Sequence, residues 1–174
     1  MRVFGLAGWS GSGKTTLVTR LVPALTRRGI RVSTLKHAHH DFDIDQPGKD
    51  SWRHRQAGAT EVMVASDRRW ALMHELRGAP EPGMDELLRR MSPVDLVLVE
   101  GYKRGDHPKL EIYRASLGKT LLAPEDASIV AIASDAPVAG SPLPFFALSD
   151  VDRIAQFIIA HCRIEAVEDG AAQR

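Results

Sequence analysis

Short continuous apolar runs alternate with segments of helical spacing along most of the chain, the pattern a sheet flanked by helices requires. Val3-Phe4-Gly5-Leu6-Ala7 is the first run; it ends in Gly-Trp-Ser-Gly-Ser-Gly and reads as a buried strand feeding a glycine loop. Leu17, Val18, Leu21, Val22 and Leu25 then share one helical face, with Arg27 and Arg28 as a basic last turn, Gly29 as C-cap and Pro23 as a kink. Arg31 to Leu35 reads as a second strand. The polar, aperiodic stretch from His37 to Lys49 reads as a loop, and Asp50-Ser51 as the cap of a short helix reaching about Gly58. Glu61 to Ala65 and Trp70 to Met73 form a predicted hairpin around Asp67-Arg68. Gly78 to Gly83 is a Gly/Pro loop, and Met84 to Met91 another short helix.

Two runs, Asp95 to Gly101 and Ile129 to Ala133, are too apolar to have a wet face and belong at the sheet centre. Lys109 to Tyr113 alternates polar and apolar residues, which predicts an edge or half-exposed strand. A capping-box-like pattern, Ser149 with Asp152, opens an amphipathic closing helix carrying Val151, Ile154, Ala155, Ile158 and Cys162. There is no internal repeat and no convincing linker. The expectation is therefore one α/β domain over residues 1–164, a mainly parallel central sheet flanked by helices with an added β-hairpin, followed by a flexible tail at 165–174.

Composition narrows the function more by exclusion than by assignment. Lys plus Arg number 23 against 22 for Asp plus Glu, a net charge of +1, which argues against a basic nucleic-acid surface. The single cysteine, Cys162, cannot form an internal disulfide and reads as a buried thiol. No apolar run reaches the roughly 18 residues of a membrane span, and Met1 to Ala7 is too short for a signal-peptide core, so no membrane is expected and the cytoplasm is the expected compartment.

The chemistry begins at Gly8-Trp9-Ser10-Gly11-Ser12-Gly13-Lys14-Thr15, which satisfies G-x-x-x-x-G-K-[ST] between a strand and a helix, the setting of a P-loop. Gly8, Gly11 and Gly13 allow backbone turns closed to other residues, so that successive N–H groups of the loop, with Ser10 and Ser12, surround phosphate oxygens at a helix N-terminus. Lys14 reaches the β- and γ-phosphates, and the Thr15 hydroxyl is available to Mg²⁺. Thr16, next in the helix, completes the expected cofactor-binding set. Leu96-Val97-Leu98-Val99-Glu100 resembles the metal-side strand of such proteins. Ligands collect beyond the carboxyl ends of parallel strands, so Glu100 can face the Mg²⁺ shell, whereas Asp95 lies about 17 Å back along the strand. Aspartate is usual there, and a solvated strand-end carboxylate is the structural alternative.

The loop from His37 holds His39, His40, Asp41, Asp43 and Asp45, a set that by spacing alone can bind a transition metal. Its place after the second strand favours a switch instead, with Asp43 or Asp45 ordering water or Mg²⁺ and Lys49 near phosphate. Asp135 ends the Ile129 strand, where a carboxylate can accept both N1–H and N2–H of guanine but meets an acceptor at adenine N1; structural capping is the alternative.

Beyond single motifs, the order of Gly8 to Thr16, Leu35-Lys36-His37-Ala38-His39-His40, Asp43-Ile44-Asp45-Gln46-Pro47-Gly48-Lys49-Asp50-Ser51, Ala57-Gly58-Ala59 and Val99-Glu100-Gly101-Tyr102-Lys103 resembles the MobB family of molybdopterin-guanine dinucleotide biosynthesis adapter proteins. The resemblance extends to about Ile164 and includes Pro23. It implies a homodimeric GTP-binding protein of weak GTPase activity that assists a guanylyltransferase in attaching GMP to molybdenum cofactor, with molybdopterin or its dinucleotide product as a further candidate ligand. Two readings compete. A small metabolite kinase needs an arginine-rich lid, for which Arg68-Arg69 is the nearest candidate. A metal-delivery GTPase would load metal on His37, His39 and His40.

Overall fold

The computed structural model describes residues 1–38, 42–102, 105–138 and 140–165. It divides into two compact units, Met1–His37 with Ser92–Arg174, and Ala38–Met91.

The first unit is built on a six-stranded sheet in which every neighbouring pair is parallel. Its strands are β1 (Arg2–Ala7), β2 (Val32–Lys36), β5 (Leu96–Glu100), β6 (Lys109–Tyr113), β7 (Ile129–Ser134) and β8 (Phe145–Ala147), in the order β2-β5-β1-β6-β7-β8. The chain winds from β1 toward β2 on one side and from β5 across to β6 on the other, so the carboxyl end of β1 lies where the winding reverses, the usual place for a ligand in such sheets. Helices α1 (Lys14–Thr26) and α4 (Val151–Cys162) pack against each other and against one face of the sheet. Phe4, Leu6, Leu98, Leu110 and Ile112 meet Leu17, Leu21, Ile154 and Ile158 there, all essentially inaccessible. Pro23 lies inside α1, and the chain past Thr26 turns at Gly29 with φ 75°. Asp150, rather than Ser149, caps α4 by accepting the Arg153 N–H at 3.3 Å. Cys162 is buried at the end of that helix, and burial pushes its thiol up to about 11.

The expectation that Lys109 to Tyr113 lies at an edge is overturned. β6 sits between β1 and β7, with Lys109 and Glu111 1% and 0% exposed. Its alternation marks two buried faces of different chemistry instead of a wet and a dry one. Lys109 Nζ donates to Asp126 Oδ2 at 3.1 Å and to the Gly105 carbonyl and Ser128 Oγ. Glu111 accepts from the Leu122 and Ala123 N–H groups at 2.8 and 2.9 Å. Gly5 pairs with Lys109 in register, and a Cβ on it would stand 2.5 Å from the His107 ring and 2.9 Å from the lysine Cγ, so the glycine makes room for both side chains. The true edge beyond β7 is β8, three residues that the sequence pattern does not announce.

The second unit holds α2 (Asp50–Gln56), β3 (Glu61–Ala65), β4 (Trp70–His74) and α3 (Met84–Arg90). The hairpin is antiparallel, as expected. Lys49, not Asp50 or Ser51, occupies the α2 N-cap. No helix among the described residues is long and apolar enough to cross a membrane.

Candidate functional site

β1 delivers the chain into the Gly8–Thr15 loop, and the loop into α1. Gly8, Gly11 and Gly13 all have positive φ, at 143°, 80° and 101°. At Gly8 close approach adds a second constraint: a Cβ would stand 2.5 Å from the Ile112 carbonyl and 2.7 Å from Ser12 Oγ. Ser12 Oγ is buried without a hydrogen-bond partner among the described residues. Lys14 folds over the loop, donating to the Gly8 and Trp9 carbonyls, both at 2.9 Å. Its ammonium is thereby held at the loop mouth ahead of the α1 N-terminus.

Thr15 and Glu100, 85 residues apart, meet at this end of the sheet. The Thr15 hydroxyl lies 3.1 and 3.3 Å from the two Glu100 carboxylate oxygens. Asp95 sits at the opposite end of β5, pairing with the Arg31 side chain at 2.9 Å and accepting its N–H at 2.8 Å. That hydrogen-bonded guanidinium holds the Asp95 carboxyl below its ordinary value. A hydroxyl and a carboxylate beside a glycine cradle, with a lysine over it, form the donor set that suits Mg²⁺ and phosphate oxygens.

Two sequence motifs are brought into contact next to this pair. β2 and β5 align Leu35 with Val99 and Lys36 with Glu100, and the His37 N–H donates to the Glu100 carbonyl at 2.8 Å. The His37 ring then packs on Tyr102, with centroids 5.0 Å apart. Gly101 has φ 102°, and a Cβ there would stand 2.8 Å from the His37 carbonyl. Val-Glu-Gly-Tyr is thus the partner that Leu-Lys-His needs.

The crossover from β6 to β7 closes on the loop from the other side. Trp9 Nε1 donates to the Thr120 carbonyl at 2.8 Å, and Lys119 lies over its ring. Arg114 Nε donates to the Ser12 carbonyl at 3.0 Å, and its Nη1 bonds Asp135 Oδ2 at 3.1 Å. Asp135 therefore stands at the carboxyl end of β7 paired with an arginine; the Ala136 N–H is taken by Ser134 Oγ. Sequence reasoning missed Arg114 because β6 was expected at an edge. Once β6 neighbours β1, the first residue beyond its carboxyl end falls beside the loop.

Asp43, Asp45 and Lys49 belong to the second unit. Arg55 collects both aspartates: Nη2 lies 2.7 and 2.9 Å from Asp43, Nε 3.3 Å from Asp45, and Nη1 2.8 Å from Glu75. Asp45 also accepts from Ser51 Oγ at 2.8 Å. The Asp45 N–H and the Arg55 guanidinium together hold the Asp43 carboxyl below its ordinary value. Lys49 is exposed at the α2 N-cap. At the hairpin tip the Ser66 hydroxyl accepts from the Arg68 and Arg69 N–H groups. His39 and His40, on which a transition-metal site would depend, lie outside the described residues, as do Asp41 and Lys103.

The model of the family described as molybdopterin guanine dinucleotide synthesis protein B, MobB, matches residues 3–135. This chain belongs to the MobB family. It is 42% identical over 163 residues to the molybdopterin-guanine dinucleotide biosynthesis adapter protein of Escherichia coli, covering 90% of this chain and 91% of the relative. It is also 42% identical to the adapter protein of the same name from Haemophilus influenzae over 158 residues, 88% and 84% of the two chains. The crystal structure of a MobB homolog from Bacillus stearothermophilus superimposes with a TM-score of 0.67 at 31% identity, covering 94% of this chain and 99% of that one. The matched span includes the Gly8–Thr15 loop, the His37–Gly101 junction and Asp135.

Proposed function

We propose that this protein is the GTP-binding form of the family's adapter: it binds GTP with Mg²⁺ at Gly8, Ser10, Gly11, Ser12, Gly13, Lys14, Thr15 and Thr16, hydrolyses it slowly, and assists a guanylyltransferase in attaching GMP to molybdopterin. The observation that carries the nucleotide reading is the meeting of Thr15 and Glu100 beside the glycine loop. In this reading the loop N–H groups and Lys14 bind the β- and γ-phosphates, and Thr15 and Glu100 hold the cation. A divalent cation held by these two residues would supply charge neutralisation for the phosphates. Asp135 reads guanine through N1–H and N2–H. The loop from Asp43 to Lys49 is the switch, latched in this conformation by Arg55. Slow turnover agrees with the placement of Arg114: its guanidinium is engaged on a loop carbonyl and Asp135, whereas an arginine supplied to the transition state adds about 10³ to 10⁵ in rate.

The test is nucleotide binding by calorimetry. Lys14→Ala removes the motif's positive charge, and losing one side of such a pair costs about 2–5 kcal/mol, so GTP affinity should fall about 30-fold or more. Unchanged affinity in the variant rejects the site. The adapter role is tested by co-purification with a guanylyltransferase; GMP transfer equally fast with and without this protein rejects it.

A further inference from the structure

Arg114 has two anchors that belong to different halves of a nucleotide site. β6 and β7 pair Tyr113 with Ser134, so Arg114 and Asp135 leave the sheet side by side at its carboxyl edge. Nη1 bonds Asp135 Oδ2 at 3.1 Å while Nε bonds the Ser12 carbonyl at 3.0 Å. The guanidinium also lies against Gly13, with Nη2 3.6 Å from where a Cβ would stand. Among the described residues, the contact of Asp135 Oδ1 is a long one, 3.4 Å, to Ser134 Oγ.

We infer that Arg114 is the positioning residue for base selection, fixing the Asp135 carboxylate relative to the phosphate loop so that only a guanine edge meets it when the phosphates are seated. This rests on the reading of Asp135 given above. A carboxylate has about four acceptor positions, so one bond to Arg114 leaves room for N1–H and N2–H of guanine. A half-exposed ion pair alone would hold the carboxylate loosely. The second anchor on the loop changes that, because the planar fork of an arginine spans both partners in one rigid group, which a lysine cannot do. Carboxylate and phosphate loop are then set at one separation, as base and phosphate are in a nucleotide.

The expected signature separates this role from that of a mere brace. Losing a brace weakens every triphosphate alike; losing a positioned base reader weakens GTP selectively. Binding of GTP, ITP and ATP, each with Mg²⁺, is to be measured by competition for the wild type, Arg114→Ala, Arg114→Lys, Asp135→Asn and the Arg114→Ala/Asp135→Asn pair. Arg114→Ala should lower the GTP-over-ATP ratio about tenfold or more, by analogy with bidentate base reading. Arg114→Lys should fall between it and the wild type. The double variant should lose no more selectivity than Asp135→Asn alone. ITP, which lacks the 2-amino group, should bind the wild type more weakly than GTP and Arg114→Ala equally. Equal weakening of GTP and ATP in Arg114→Ala, with Asp135→Asn still losing selectivity, overturns the inference and leaves guanine reading standing. Full selectivity in Asp135→Asn overturns both.

Discussion

Lys109 shows how much one residue's meaning depends on its neighbours. Its ammonium is inside the protein, and its charge is met by Asp126, with Ser128 and the Gly105 carbonyl taking the remaining protons. Burial works to raise the Asp126 carboxyl, but hydrogen bonds from Ser128 and Lys109 outweigh it and hold the group below its ordinary value. A depressed acid contributes stability that is complete above its unfolded value of about 3.9 and is lost as pH falls through the lower folded value. Asp126→Asn leaves the buried ammonium without its counter-charge, and breaking such a pair costs about 3–5 kcal/mol. Urea unfolding at neutral pH should show a loss of about 3 kcal/mol, narrowing below about pH 4 as the wild-type carboxyl takes up its proton. A loss of under about 1 kcal/mol would show that the lysine is held by its carbonyl and hydroxyl partners alone.

Elements carry the next level. α4 starts at Asp150 because that carboxylate, not the Ser149 hydroxyl, reaches the Arg153 N–H. Removing an N-cap acceptor costs about 1 kcal/mol, so Asp150→Ala should lower the unfolding free energy by about that amount while Ser149→Ala stays within about 0.5 kcal/mol. Equal effects would return the cap to Ser149. The hairpin is also informative at this scale. Val62, Val64, Trp70 and Leu72 alternate along their strands, and the sequence suggests one apolar surface. The register separates them: Val62 and Val64 oppose Met73 and Ala71, whereas Trp70 and Leu72 oppose Ala65 and Met63 on the other face. Val62 is 7% exposed but Val64, on the same face, is 46% exposed; on the other face Met63 and Trp70 are each 62% exposed and Leu72 is 41%.

That outer face bears on the whole molecule. A two-stranded ribbon with Met63, Leu72 and Trp70 in solvent has more apolar surface than it can shelter, and among the described residues neither of its edges pairs with a further strand. We propose that the chain forms a homodimer and that this face is its contact. Light scattering at tens of micromolar should give twice the chain mass, and Trp70→Lys should give the monomer with its circular dichroism unchanged, because a charge opposite its own copy across a two-fold axis is repelled. A wild-type monomer, or a Trp70→Lys dimer, rejects this interface.

What the chain determined by itself was local: the Gly8–Thr15 loop, the helices at helical spacing and the strands β1, β2, β5 and β7 are written in contiguous residues whose backbone demands and periodicity need no partner to be read. Glu100 is legible too, because strand polarity alone sends its end toward the glycine-loop side of the sheet, where the fold brings it to Thr15. Only the tertiary structure decided which strand neighbours β1. Side-chain alternation gives the same signal for a half-wet edge as for a central strand with a buried ion pair on one face, so it places β6 wrongly and gives no sign of Arg114 beside the loop. The Arg55 cluster was hidden for the same reason: ten and twelve residues separate its guanidinium from Asp45 and Asp43, and pairing across that interval is fixed by where the loop packs, not by spacing.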